Sequence, residues 1–192
     1  MAASTLLASR ESLKCYLGVA ASDEGQDALF DQLLAYASER IESHCGRKFK
    51  SEEITEDRDG TGTREMVLSR RPVTELAEVC EDADREFGEK TKLPELDLVL
   101  YPDAGVVARQ GAVFPRGDRN VRVVYTAGYG TIPDDLAAAC VKLAAAWYAH
   151  ARTGGDGVGR ESLGDYSVEY AAASLPSDVE AALAPYREPA VG

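Results

Sequence analysis

Two glycines one residue apart, Gly128 and Gly130, end the strand-like run in VRVVYTAGYGTIPDDL at 121–136. A glycine turn between a strand and a helix is how a phosphate-binding loop begins, because backbone N–H groups and the helix dipole there attract anions. The dinucleotide fingerprint GxGxxG would need a third glycine at 133, where the chain has Pro133. Asp134 and Asp135 would fill the first helical turn and repel a phosphate. A corner accounts for every residue: the glycines turn the chain, and Pro133 pre-sets φ at the first helical position. GGDGVG at 154–159 follows a helix and lacks the Gly-Lys-Ser/Thr of a nucleotide loop, so it reads as a linker.

DRDGTGTRE at 57–65 places Asp57, Asp59, Thr61 and Gly62 as the opening of an EF-hand calcium loop would. The bidentate glutamate would fall on Leu68, and no helix flanks the loop; the expectation is a β-hairpin turn on Asp59-Gly60. Cys15, Cys45, Cys80 and Cys140 are scattered, and the two histidines are His44 and His150. Zinc ligands come in close pairs, so reduced and mostly buried thiols are expected here. No GxSxG elbow or HExxH helix occurs, and nothing brings two carboxylates into one apolar pocket. The residues describe a protein that is not an enzyme, with no cofactor and no metal.

A length of 192 residues suits one domain. With 45% hydrophobic and 28% charged residues it reads as a soluble globular chain. No apolar run reaches the roughly 20 residues of a membrane span, and MAASTLLASRESLK lacks the pattern of an export signal. The net charge of −12 argues against gripping DNA, which depends on Lys and Arg displacing counterions.

Residues 1–50 carry helical spacing. SRESLKCYLG predicts a helix from Ser9 to Leu17 with Ser9 as cap and Gly18 as stop. A longer helix is predicted over Asp23 to Cys45, capped by Ser22 and ended by Gly46. Its buried stripe would be Phe30, Leu33, Leu34, Ala37, Ile41 and Cys45. From 51 to 130 the period shortens, as where Val121, Val123 and Tyr125 alternate with Arg122, Val124 and Thr126. Prolines punctuate these runs, and a small antiparallel sheet inserted between helices is expected. Helical spacing returns after Pro133, with Leu136, Cys140, Leu143, Ala144, Trp147 and Ala151 as the stripe. Trp147 reads as core. A strand-like YSVEY and a short helix capped by Ser177 close the chain.

The expected fold class is α+β, predominantly α: a small helical bundle with an inserted antiparallel β-rich segment and a flexible C-terminal tail. The expected divisions are N-terminal helices at 1–50, the β-rich insert at 51–130, a third core helix at 131–153, and a linker with docking tail at 154–192. All form one domain, 1–192.

From LKCYLGV through DQLLAYASERIESHCGRKF, DGTG, LSRRPV, VRVVYTAGYGTIPDDLAAACVKLAAAWY and GDYSVEY to LPSDVEAALAPYR, the chain resembles the head–tail connector, or adaptor, proteins of tailed bacteriophages. The resemblance runs from about residue 10 to 187. It implies a structural protein of the virion neck, made in the bacterial host cytoplasm. Such a protein forms a homo-oligomeric ring, about twelvefold, beneath the portal protein. DNA passes through the ring as a weakly contacted strand, and a downstream head-completion or tail protein docks on it. The C-terminal segment would dock on the portal. The long acidic middle at 80–97, CEDADREFGEKTKLPELD, departs from shorter relatives. Rings of Tyr129, Tyr166, Tyr170 and Tyr186 are the candidate protein–protein contacts, since aromatics are enriched at binding hot spots. Other ring-forming virion proteins, head closure or tail terminator, remain open, as does a small ligand-binding protein or enzyme.

Overall fold

The computed structural model describes residues 6–152, 160–163, 166–169 and 175–187. The chain forms two compact units, one of Met1–Lys48 with Ile132–Gly192 and one of Phe49–Thr131.

In the first unit, α1 (Arg10–Leu17) starts on Ser9, whose Oγ accepts from the Ser12 N–H at 3.1 Å, and stops at Gly18 with φ 69. Helix α2 (Asp27–Cys45) begins four residues later than its spacing suggests, and Ser22 does not cap it. The cause is Lys14, buried on α1. Its ammonium takes the carbonyls of Ala21 (3.2 Å) and Asp23 (2.7 Å) and pairs with Asp27 at 2.5 Å. With the carbonyls of Ala21 and Asp23 turned onto the ammonium, the segment at 21–26 forms turns and the helix starts at Asp27. Gly46, with φ 71, ends α2 as expected.

Phe30, Leu34, Ala37, Ile41 and Cys45 are buried on α2, while Leu33 lies at the margin. Helix α3 (Asp134–Arg152) buries Leu136, Ala139, Cys140, Val141, Leu143, Ala144, Ala145 and Tyr148, a wider face than one stripe. The reason is that α1, α2 and α4 (Ser177–Leu183) all pack on it. Tyr148, not Trp147, is its core aromatic. Its ring meets Phe30 edge-on at 5.3 Å, and its hydroxyl donates to Gln26 Oε1 at 2.5 Å. Trp147 is half-buried. Helix α4 buries Val179 and Leu183; Ser177 is its first residue and makes no side-chain cap.

The second unit holds β1 (Glu52–Gly60), β2 (Glu65–Val67), β3 (Val73–Glu81), β4 (Leu98–Tyr101), β5 (Val106–Arg109) and β6 (Gly117–Ala127). They form two three-stranded antiparallel sheets, ordered β1-β6-β3 and β2-β5-β4. Val121, Val123 and Tyr125 of β6 point into one core with Val79 of the same sheet, Met66 and Val107 of the other, and Phe114 from the segment before β6. Residues Arg160–Leu163 (β7) and Tyr166–Glu169 (β8) pair as an antiparallel hairpin, so Arg160–Leu163 is strand where a linker was expected.

The fold is therefore α+β but not predominantly α. Helices of 8, 19, 19 and 7 residues stand against strands of 9, 3, 9, 4, 4 and 11 in the insert alone. The short apolar runs EMVL, LDLVLY and GVVARQ read as strands in the sequence, and β2, β4 and β5 fall within them. What spacing does not give is their pairing, such as Val67↔Val106↔Tyr101. The expected single sheet is two for the same reason.

The Asp59-Gly60 hairpin is also corrected. Strand β1 pairs with β6 and β2 with β5, so 59–60 turns nothing back on itself. Gly60 is there because a Cβ would lie 1.8 Å from the Pro115 carbonyl oxygen. Gly60→Ala is expected to destabilise the β unit by about 1–3 kcal/mol through overpacking against backbone. Urea unfolding followed by tyrosine fluorescence measures this, and an unchanged midpoint would refute the steric argument.

Candidate docking surfaces

Among the described residues no group of three or more His, Cys, Asp or Glu side chains is placed to hold a metal ion. None of their helices is long and apolar enough to cross a membrane. Asp57, the first residue of the calcium-like loop, is committed to Arg122: Nε donates to Oδ1 at 2.7 Å and the guanidinium donates to Oδ2 at 3.0 Å. These bonds, more than the charge itself, hold the Asp57 carboxyl below its usual range. Phe87 stacks on the Arg122 guanidinium, 4.1 Å from its centre.

Phe87 belongs to the acidic segment at 80–97, whose course follows from one carboxylate. Asp82 accepts from the N–H groups of Asp84, Glu86 and Phe87, which coils the chain tightly enough to put Arg85 and Phe87 at positive φ. The strand-edge bond from Leu93 N to Val79 O and the Lys92–Glu78 pair at 2.7 Å then lay the segment along β3. Cys80 is sealed beneath it, and burial pushes its thiol up to about 11. Cys45 and Cys140 are also buried, whereas Cys15 on α1 is exposed.

Tyr129 is half-buried, stacked on Phe49 at 6.4 Å, with its N–H donating to Phe49 O and its carbonyl accepting from Ser51 N. Gly128 precedes it at φ 112, where a Cβ would lie 2.4 Å from the Lys50 carbonyl oxygen. The glycine corner thus clasps the two ends of the insert. Gly130 has positive φ in none of this and meets nothing nearby. Helix α3 begins at Asp134, one residue beyond the expected start at Pro133. Tyr186 donates to Asp135 Oδ1 at 2.6 Å, tying the C-terminal 3-10 turn to the start of α3. Tyr166 opens β8, and Tyr170 lies outside the described residues.

Among the described residues, exposed large apolar side chains lie elsewhere, Leu96 and Val113 among them. In the β unit, the outer face of β2-β5-β4 presents the row Val67, Val106 and Tyr101, with Val67 59% and Tyr101 50% exposed. In the helical unit they are Tyr16 on α1 and Leu29 and Tyr36 on α2. The seven-residue spacing of Leu29 and Tyr36, off the buried stripe, was a signal in the sequence; the sheet row was not, because it exists only through register.

The head completion protein family model matches residues 6–188 of the chain. The chain belongs to that family. Its fold is shared with a chain of the structure described as "Virion of native gene transfer agent (GTA) particle", at TM-score 0.63 and 24% identity, covering 95% of this chain and 90% of that one. A chain in "Neck of empty GTA particle computed with C6 symmetry" aligns at TM-score 0.64 and 21% identity, over 100% and 94%. One in "Neck of native GTA particle computed with C12 symmetry" aligns at 0.56 and 22%, over 95% and 92%. No curated protein matches.

Asp57 titrates lower in the folded chain, so its contribution is present above the ordinary carboxylate range near pH 4 and fades as pH falls through the folded value. Asp57→Asn should therefore lower the urea midpoint at pH 7, with the difference from the unsubstituted protein shrinking below about pH 4. A difference that grows on acidification would refute the pairing.

Proposed function

We propose that this head completion protein is a head–tail adaptor, a structural component of the virion neck. It forms a ring beneath the portal protein, gives passage to DNA, and offers its far side to a downstream head-completion or tail protein. The observation that carries this reading is the match of one family over nearly the whole chain, supported by a fold shared end to end with neck chains. Neck assemblies computed with C6 and C12 symmetry support a cyclic arrangement of about twelve copies.

The chemistry fits a protein that acts by shape. Its glycine corner clasps backbone, its calcium-like aspartate holds an arginine, and three of its thiols are buried. A ring multiplies the charge of −12 by its copy number, and an acidic lumen lets DNA slide because phosphates find no counterion partner there. Electron microscopy of the protein mixed with its portal tests the whole reading: a ring at the narrow end is expected. Portals left bare at saturating protein would refute it, and a strongly basic lumen would refute the sliding argument.

The C-terminal segment at 154–192, with Tyr166 and Tyr170, is the proposed portal contact, and Tyr186 holds its helical end on α3. Because α4 buries Val179 and Leu183, removing everything after 160 would strip the helical core. Replacing only residues 160–170 with a Gly/Ser linker of equal length is the cleaner test. It should leave the circular dichroism and melting temperature nearly unchanged while cutting portal binding at least roughly tenfold. Undiminished binding would locate the portal contact elsewhere.

A further inference from the structure

This inference rests on the ring reading and names the strands through which copies meet. Strands β7 and β8 pair with each other, from Arg160↔Glu169 through Glu161↔Val168 and Ser162↔Ser167 to Leu163↔Tyr166. Among the described residues no third strand joins them: their sheet has two strands and is separate from both sheets of the β unit. In an antiparallel pair every second residue turns its N–H and C=O away from its partner strand. The hairpin therefore carries two outward rows of backbone groups, one along β7 and one along β8, on opposite sides of the same small sheet.

A two-stranded hairpin standing by itself is marginally stable at best in water, and a third strand is the usual remedy. Four residues per strand leave few bonds to offset the cost of ordering them. An unpaired edge is also a template that another chain completes. Covering both rows takes a strand on each side, and further copies of the same hairpin supply them.

Symmetry decides which edges meet. Copies related by rotation about a ring axis touch through two different surfaces, whereas like surfaces meet only across a two-fold axis and stop at a dimer. The edges of β7 and β8 are two such surfaces, already on opposite sides. With strands running along the ring axis, β8 of one copy lies antiparallel to β7 of the next, as it does to β7 of its own chain. Repeating the register of the hairpin sets Arg160 and Glu169 at paired positions and no like charges opposite each other. A stagger of two residues between copies keeps every residue on its face and leaves that pair diagonal. Two residues of stagger for two strands make the shear equal to the strand number, as in the eight-stranded barrel of shear 8 whose strands tilt about 36°. Residues 153–159 and 170–176, seven each, link the hairpin to α3 and α4, and each link spans up to about 25 Å, enough to reach a neighbour.

We propose that β8 of each copy pairs with β7 of the next, closing the hairpins of the ring into one antiparallel β-cylinder on its portal side. Pairing uses only the strand edges, so the face shared by positions Leu163, Tyr166 and Val168 stays open to the portal. About twelve copies give about 24 strands and, at about 4.8 Å per strand, a circumference of about 115 Å before tilt. Barrels of roughly 16–18 strands already leave an aqueous channel, so this cylinder leaves DNA its passage.

The test starts from Cys15→Ser protein, whose remaining thiols, Cys45, Cys80 and Cys140, are buried. Each further cysteine is placed in a separate batch, so that positions facing each other within a hairpin never share a chain. Ser162→Cys is mixed with Ser167→Cys or with Glu169→Cys, and Ser167→Cys with Arg160→Cys, which covers the level register and a stagger of two either way. Rings assembled on portal from each mixture are oxidised, and the same samples are imaged. A disulfide needs Cβ atoms about 3.5–4.5 Å apart, which like positions two strands apart do not offer.

The expected result is a disulfide-linked dimer with one chain of each kind from at least one mixture, and none from any batch alone. Rings without mixed dimers would overturn the cylinder and leave the adaptor reading standing. Dimers from a single batch would also overturn it, by showing that like edges meet. If the unsubstituted protein forms no ring, the adaptor reading fails and the cylinder fails with it. Image reconstruction of the unsubstituted ring on portal gives an independent measurement: a continuous wall of strands on the portal side is expected, and separate hairpins would refute the proposal.

Discussion

The architecture depends on how a sheet-bearing segment of 83 residues, Phe49–Thr131, is opened and closed inside a helical chain. Its two ends meet in backbone: Tyr129 donates to Phe49 O at 2.7 Å and accepts from Ser51 N at 3.2 Å. The strand β1 then runs beside β6 from the Glu52↔Ala127 pair onward. An insert whose ends touch imposes little loop-closure cost on its host, which is why insertions with adjacent termini are tolerated. That close approach is possible only because residue 128 has no side chain. The phosphate-like glycine corner is thus explained by a neighbouring strand and not by a ligand.

A second constraint is charge. With 33 acidic against 21 basic residues, the chain folds by spending its cations where carboxylates crowd. Arg10 serves Asp27 and Asp31, Arg122 serves Asp57, Arg109 serves Glu81, and Lys92 serves Glu78. Lys14 is the most buried of these cations and also sets where α2 begins. Exposed pairs of this kind contribute little each. The acidic segment at 80–97 belongs to the same economy, coiling on Asp82 and covering the β3 edge that would otherwise invite another strand.

Helix content does not separate an adaptor from other ring-forming virion proteins here, since the strands rival the helices in length. What the chain shares over residues 6–188 is membership of the head completion protein family.

The ends of α1, the stop of α2 at Gly46, the core residues Phe30, Leu34 and Ile41, and the alternation of Val121, Val123 and Tyr125 were all legible in the sequence. Each is set by interactions within a few residues: a serine cap, a left-handed glycine, or the period of one element. The start of α2, the substitution of Tyr148 for Trp147 in the core, the two-sheet arrangement and the row of exposed Val67 and Tyr101 about half-buried Val106 were decided by tertiary structure. They turn on partners such as Lys14 against Asp23 or β2 against β5, which lie from nine to about forty residues apart. Local periodicity reports which face of an element is apolar; which neighbour covers that face, and which face is left uncovered, is settled only when distant segments meet.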